Sequence, residues 1–411
     1  MRVQRFLLLR RRTDPLLLTA AMALIGVLVS IGKGLFALLA VVGVVHAIIR
    51  PSSWRLAPPA FTIVLAAYVV WSIGLSLLRG EGVDGNRLLS YAAIELACVF
   101  LPLGLFFVRR PLDAMILGAR IGVVALLIAT PAEFWATGTR VGLGRNEAIL
   151  GFIAAAFGLI ARLPMERPPR ILPNGRWWLY LSFVPALLSQ TRATWGIYPI
   201  FGIIDLIHVW RRVVGVGDKR SMVALAVGAC VAVAALLPMS DIVMQRADQA
   251  LVEIDRYEQT GVASGSVDVR MAMWSSAFEI WREHPLIGIG HVGKMETVAD
   301  RAGVNEAQVG QYTHLHNLVV DEALNSGLIG TILLVGVFVV FIATVFLRSR
   351  STMLRETSVV FVLLVFSYGS FHGVLLNEWM VTVIFGYMSV TLTDLRHKQL
   401  GARLRLKTGQ A

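Results

Sequence analysis

Charge is scarce in this sequence: of 411 residues only 16% are Asp, Glu, Lys or Arg, against 56% hydrophobic. That leaves too little polar surface to clothe a soluble body of this size, so the bilayer is read as the solvent. Cysteine is nearly absent. Cys98 and Cys230 are the two present, and both fall inside apolar runs, which excludes a disulfide framework and a cysteine-built zinc site and leaves them as packing residues. Acidic residues are fewer than basic ones, 26 against 38, for a formal charge of +12. The basic residues sit in short clusters between apolar runs rather than on one continuous face, which argues for membrane topology and against a nucleic-acid partner. Neither an internal repeat nor a low-complexity tract is visible, which weighs against transporters built from repeats.

A spanning helix needs roughly 20 mostly apolar residues. Runs that meet or approach this lie at 16–31, 34–49, 60–78, 91–108, 112–129, 149–161, 177–188, 194–209, 222–238, 328–347, 358–373 and 375–392. The expected fold is therefore an all-α integral membrane protein of about 12 transmembrane helices. Arg10, Arg11 and Arg12 before the first run imitate a signal peptide, but the next run follows almost at once and the first helix is read as retained. Placing both termini in the cytoplasm gives the cytoplasmic segments about 25 of the 38 basic residues, as the positive-inside rule requires. The expected domains are a membrane bundle over 1–238, a large periplasmic loop over 239–327, and C-terminal helices with a basic cytoplasmic tail over 328–411. The loop is mixed and charged, with helical periodicity at 241–257 and 269–282 that predicts short amphipathic helices. Structureless loops of such length are uncommon unless functional.

Several polar groups in and near the outer face could carry chemistry. Arg192, in Ser-Gln-Thr-Arg-Ala-Thr-Trp between the seventh and eighth runs, reads either as an interfacial arginine reaching lipid headgroups or as a clamp for phosphate oxygens. Arg270 opens a stretch in which Met271, Trp274, Ala277, Phe278 and Trp281 follow helical spacing, predicting an amphipathic helix with those residues on its apolar face. Arg270 itself is either a structural ion-pair member or a ligand contact. Pro285, Gly288 and Gly290 suit the turn that ends the helix. His314 and His316 precede the tenth run; an H-x-H pair without an obvious third ligand is a weak zinc signal, and structural and general-base roles stay open for both. Inside the runs, Glu95, Arg120, Asp205 and His208 are functional candidates by default, with Glu95 and Arg120 as an expected buried pair.

The order of these blocks resembles the O-antigen ligase and polysaccharide polymerase superfamily. Ser189-Gln-Thr-Arg192-Ala-Thr-Trp is similar to that family's S-x-[ST]-R-[AG]-x-W element. Arg270 with Trp274 and then Pro285-Leu-Ile-Gly-Ile-Gly290 resembles its R-x-x-x-W…P-x-x-G-x-G stretch, and His316-Asn317 through Gly327-Leu-Ile-Gly330 its H-N-x-x-L…G-L-x-G signature, with Val320 where Leu is common. Arg140 to Asn146 is a fainter match, and the similar region spans about 140–347.

The resemblance implies glycosyl transfer at the outer leaflet of the bacterial inner membrane, from an undecaprenyl-diphosphate-linked glycan to an acceptor hydroxyl. The acceptor is lipid A core in a ligase, the favoured reading, or a second lipid-linked repeat in a polymerase. It implies Arg192 and Arg270 stabilising the diphosphate and His316 as base, with Asn317, Glu322, His314, Arg140 and Arg145 in contact with substrate. No cofactor and no metal are expected: the first outer loop, read as 31–34, holds Lys33 and no acid, and Asp321 and Glu322 are adjacent rather than spaced as D-x-D. A lipid-linked glycan flippase or transporter is the rival from another class, although its polar residues would line a path through the bilayer.

Overall fold

A computed structural model describes residues 2–82, 86–216, 244–245 and 248–408, and every regular element among them is helical. They fall into two compact units. One comprises Met1–Trp195, His284–Val292 and His316–Ala411; the other comprises Gly196–Glu283 and Gly293–Leu315. Two stretches of the expected outer loop, His284–Val292 and the chain from His316, thus group with the helical bundle.

The first unit is built from α1 (Arg2–Ile25), α2 (Val29–Ile49), α3 (Pro59–Leu78), α4 (Arg87–Gly104), α5 (Pro111–Thr137), α6 (Glu147–Ala161), α7 (Trp177–Leu181) and α8 (Phe183–Leu188). The second unit contributes α9 (Ile197–Val216), α10 (Ser266–Glu283), α11 (Lys294–Arg301) and α12 (Glu306–Val309), and the first resumes with α13 (Leu318–Arg348), α14 (Thr352–Gly369) and α15 (Glu378–Thr408). Pro59 and Pro111 open α3 and α5, where a missing N–H costs nothing. Asn86, Asn146, Asn317 and Ser351 cap α4, α6, α13 and α14 through side-chain oxygens, satisfying otherwise orphaned amides.

Among the described residues, six helices are long and apolar enough to cross a membrane: Val29–Ile49, Pro59–Leu78, Pro111–Thr137, Arg192–Arg211, Leu318–Arg348 and Thr352–Gly369. Four of the twelve expected runs form shorter apolar helices, Thr13–Ile25, Leu89–Gly104, Glu147–Ala161 and Trp177–Leu188. The last of these is interrupted at Ser182. The run at 222–238, with Cys230, lies outside the described residues. The first turn falls at Gly26–Leu28 rather than at 31–34, so Lys33 belongs to α2. The tenth run begins ten residues earlier than its apolar stretch, at Leu318, because Asn317 supplies a cap that hydropathy alone does not register.

Small residues let the bundle close. A Cβ on Gly43 of α2 would lie 2.1 Å from the Phe100 carbonyl oxygen, and one on Gly104 of α4 would lie 1.9 Å from that of Leu39. At this crossing the two backbones touch, which in a lipid solvent supplies dispersion contact where no hydrophobic drive exists. Arg120, expected to pair with Glu95, is fully buried and donates instead to the carbonyls of Ala161, Leu163 and Leu172 and to Asn174. The open carbonyls after α6 outcompete a carboxylate because five guanidinium donors in a fork can serve several acceptors at once. Glu95 lies elsewhere, near Glu322 and Tyr68.

Candidate functional site

Three non-glycine residues among those described adopt left-handed backbone: Leu143, Gln190 and His316. Such conformations carry a cost and persist where the surroundings impose them. Each falls in one of the blocks singled out in the sequence, and the hydrogen bonds around them show what imposes the shape.

The turn carrying Arg192 is fixed from three sides. Thr191 Oγ1 donates to the Glu147 carbonyl at 3.0 Å, Arg140 reaches the Ser189 carbonyl with Nε and Nη2 at 3.3 Å, and the Val141 amide donates to Leu188. On a fourth element, the Ser367 hydroxyl of α14 meets the Ala193 carbonyl at 3.5 Å. Arg192 itself is exposed, and among the described residues its guanidinium meets no carboxylate. Arg140 therefore braces this turn. Arg145 does similar work, donating to the Gly26 carbonyl at 3.1 Å and the Val27 carbonyl at 2.6 Å while lying 4.9 Å from the Trp379 ring centre. Burial pulls its guanidinium below the ordinary arginine value.

The Pro285–Gly290 block and the Gly327–Gly330 block form one structure. Inside α13, Gly327 is non-helical (φ 70°, ψ −168°), a region open essentially to glycine alone. Into that break runs the strap from Pro285: the Ile289 amide donates to the Leu324 carbonyl at 2.8 Å, and the Leu328 amide to the Pro285 carbonyl at 2.8 Å. The contact is backbone on backbone, since a Cβ on Gly288 would lie 2.4 Å from the Leu324 oxygen. Arg79, at the end of α3, closes the arrangement by donating to the carbonyls of Ile287, Gly288 (2.9 Å) and Asn325 (3.0 Å). Desolvation lowers its guanidinium from the usual value, against a raising influence from Glu81. The two sequence blocks, about forty residues apart, are thus the two halves of a helix break and its filling.

His316 stands just before that broken helix. Its Nδ1 lies 2.8 Å from the Phe371 carbonyl, immediately after α14. A carbonyl can only accept, so Nδ1 carries the proton and in the neutral ring Nε2 is the basic nitrogen. His372 lies edge-on to His316 at 6.3 Å between ring centres and stacks on Tyr368 at 4.6 Å. Asn317 is the cap of α13: its Oδ1 accepts from the amides of Val319 and Val320 at 3.0 and 3.2 Å, which leaves Nδ2 as its outward chemistry. Asp321 and Glu322 are both buried. Glu322 turns into the bundle, where its carboxylate accepts from Tyr68 and Ser326.

Arg270 and His314 belong to the second unit. Arg270 is half-buried on α10; desolvation lowers its guanidinium, offset by the nearby Tyr312 and Glu253. The start of α10 is set by Asp268, which accepts from the amides of Ser264, Gly265 and Val269 and from Arg256. Burial pushes its carboxyl up, but these bonds outweigh burial and hold it below the usual range. The helix is amphipathic, yet its buried stripe is Val269, Ala272, Met273, Ser276, Ala277 and Ile280. Phe278, expected inward, is exposed, because small residues take the close side and the larger rings stand off. Trp274 donates from Nε1 to the Leu315 carbonyl at 2.7 Å, tying α10 to the segment before His316. His314 Nδ1 lies 3.3 Å from Thr313 Oγ1, and His208 Nδ1 is 2.8 Å from the Ile204 carbonyl within α9, which also carries Asp205.

The turn bearing Arg192 and the His316 ring thus both meet the same end of α14, the Ala193 carbonyl at Ser367 and His316 Nδ1 at the Phe371 carbonyl, four residues on. Arg79, Phe371, Ser367 and His372 were not anticipated. Arg79 did leave a signal: it is a cation at the helix end opposite the basic clusters, as are Arg140, Arg145 and Arg192, and three of these four hold turn carbonyls.

A family model described as O-antigen ligase matches residues 177–335. The matched segment includes the Arg192 turn, Arg270, the Pro285–Gly290 strap and the whole His316–Gly330 block, and it supports the O-antigen ligase and polymerase superfamily. No curated protein matches the chain.

Proposed function

We propose that this chain, whose residues 177–335 match the O-antigen ligase family model, transfers a glycan from a polyprenyl-diphosphate donor to an acceptor hydroxyl on the periplasmic side of the inner membrane. Its acceptor is lipid A core, and both termini and the basic clusters lie in the cytoplasm. The observation that carries this reading is that the turn bearing an exposed arginine and an oriented imidazole both meet one helix end. In the step proposed, the acceptor oxygen attacks the anomeric carbon. The bond from that carbon to the phosphate oxygen breaks, its electron pair leaves with the diphosphate, and the acceptor proton passes to His316 Nε2. Arg192 offers a planar fork to the diphosphate as its charge grows. Arg270 keeps the role of a second cation on the strength of its sequence block, and Asn317 Nδ2 is placed to donate to sugar oxygens.

Neither His314 nor His316 is assigned to a metal here, and the reaction is proposed to need none. Each has an Nδ1 partner within the protein, which supports separate roles for them. Reconstituted full-length protein, given lipid-linked donor together with lipid A core and EDTA, should make glycan attached to the core. Lengthened lipid-linked product in place of core-attached glycan would identify a polymerase. A rate abolished by EDTA and restored by a divalent ion would overturn metal independence, and movement of donor across the bilayer without transfer would identify a flippase.

A further inference from the structure

We propose that the cavity between α2, α4 and the start of α15 holds one acyl chain of a zwitterionic bilayer phospholipid. The cavity encloses about 300 Å³ and is lined by Phe36 and Ala40 of α2 and by Ala93, Ala97 and Leu101 of α4, with Lys33, Ser90 and Glu378 at one end. Its walls are thus largely hydrocarbon, with Cys98 and Thr382 as further polar side chains, and its charge is confined to one mouth. Along α4 it runs from Ser90 to Leu101, about 16 Å at a rise of ~1.5 Å per residue. A bilayer's hydrocarbon core is about 30 Å thick, so the shaft has the length of one leaflet's chain rather than of a longer isoprenoid tail.

The mouth has a matching chemistry. Lys33 and Glu378 form an ion pair, each about one-third exposed, and Trp379 Nε1 holds the second carboxylate oxygen at 3.1 Å. An ammonium has three donors and a carboxylate about four acceptor positions, so the pair retains capacity of both signs. A headgroup carrying a phosphate and an ammonium complements it, with the phosphate toward Lys33 and the ammonium toward Glu378. Tryptophan beside them is the residue expected at headgroup depth. Among the described residues no ion pair lies inside the shaft to compete with hydrocarbon, and lipid is the solvent from which the site fills. The occupancy stands apart from the reaction proposed above and concerns different residues.

The test is photocrosslinking of the full-length protein in nanodiscs containing phosphatidylethanolamine with a diazirine on its acyl chain, with adducts mapped by mass spectrometry. Adducts are expected on the cavity residues Phe36, Ala40, Ala97 and Leu101, in addition to those on lipid-exposed positions such as Leu38, Val45, Ile48 and Leu96. Ala97→Phe fills the shaft and should remove the cavity adducts at least tenfold while leaving the exposed ones. Ala40→Met serves the same purpose if Ala97→Phe fails to yield a monodisperse protein. Undecaprenyl phosphate added in excess should not displace the cavity adducts. Adducts confined to exposed positions, cavity adducts unchanged in both filling variants, or displacement by undecaprenyl phosphate would each overturn the assignment.

Discussion

Gly327 lies so close to Leu286 that a Cβ on it would fall 2.2 Å from the Leu286 carbonyl carbon. Backbone cannot swing aside as a side-chain tip can, and the φ of 70° at Gly327 is itself unfavourable for any L residue. Gly327→Ala should therefore destabilise the protein by at least about 1–3 kcal/mol, seen as a lower thermal midpoint in detergent. An unchanged midpoint would mean that the strap and the broken helix are not held together as described.

Arg79 supplies the other half of that arrangement. Lysine keeps its charge but replaces the planar fork with a single ammonium, which cannot span carbonyls on both the strap and α13. Arg79→Lys should lose about 1–3 kcal/mol of stability, and limited proteolysis should cut first between His284 and Val292. Wild-type resistance to protease in that variant would contradict the role.

Asn317 separates capping from substrate contact. Asp can accept the Val319 and Val320 amides as Asn does, whereas Ala cannot, so Asn317→Ala should cost about 1 kcal/mol and Asn317→Asp very little. Aspartate lacks the Nδ2 donors, however, and Asn317→Asp should transfer glycan at least roughly tenfold more slowly, a change of about 1.4 kcal/mol in barrier. Full transfer by a stable Asn317→Asp protein would leave the residue as a cap alone.

Arg192 is expected to act by shape as well as charge. If its guanidinium holds the diphosphate through two oxygens, Arg192→Lys should remain impaired roughly tenfold or more at normal expression. Full activity in Arg192→Lys would reduce the side chain to a generic positive charge.

Much of this was legible before any coordinates. Apolar runs gave the positions of the helices, with eleven of the twelve found helical and the twelfth outside the described residues, because in lipid the backbone has no other way to satisfy itself. Hydropathy could not show that the run at 177–188 is interrupted at Ser182 or that α13 begins at Leu318 behind its Asn317 cap, since capping and local breaks leave apolar composition unchanged. The Pro285–Gly290 and Gly327–Gly330 blocks were visible as glycine-bearing motifs, but that they fill one another depends on a long-range meeting of backbones with no side-chain pattern to report it. The buried pair expected between Glu95 and Arg120 failed for a related reason: adjacency in sequence order said nothing about the free carbonyls at 161–172 that Arg120 satisfies. Arg79 could have been found by asking which cations break the positive-inside alternation, and the same question points to Arg140, Arg145 and Arg192.

In the proposed reaction His316 takes the acceptor proton through Nε2, its ring held by the bond from Nδ1 to Phe371. The measurement is the rate of transfer against pH for purified wild-type, His316→Ala and His314→Ala proteins under saturating lipid-linked donor. A positioned base contributes roughly 10²- to 10⁴-fold, so His316→Ala should lose that factor while still binding donor. Protonated imidazole cannot accept a proton, so the wild-type rate should fall toward acid pH, and the residual rate of His316→Ala should lack that limb. His314→Ala should keep both the limb and most of the rate. A near-normal rate with the acid limb intact in His316→Ala, or loss of activity confined to His314→Ala, would contradict the account.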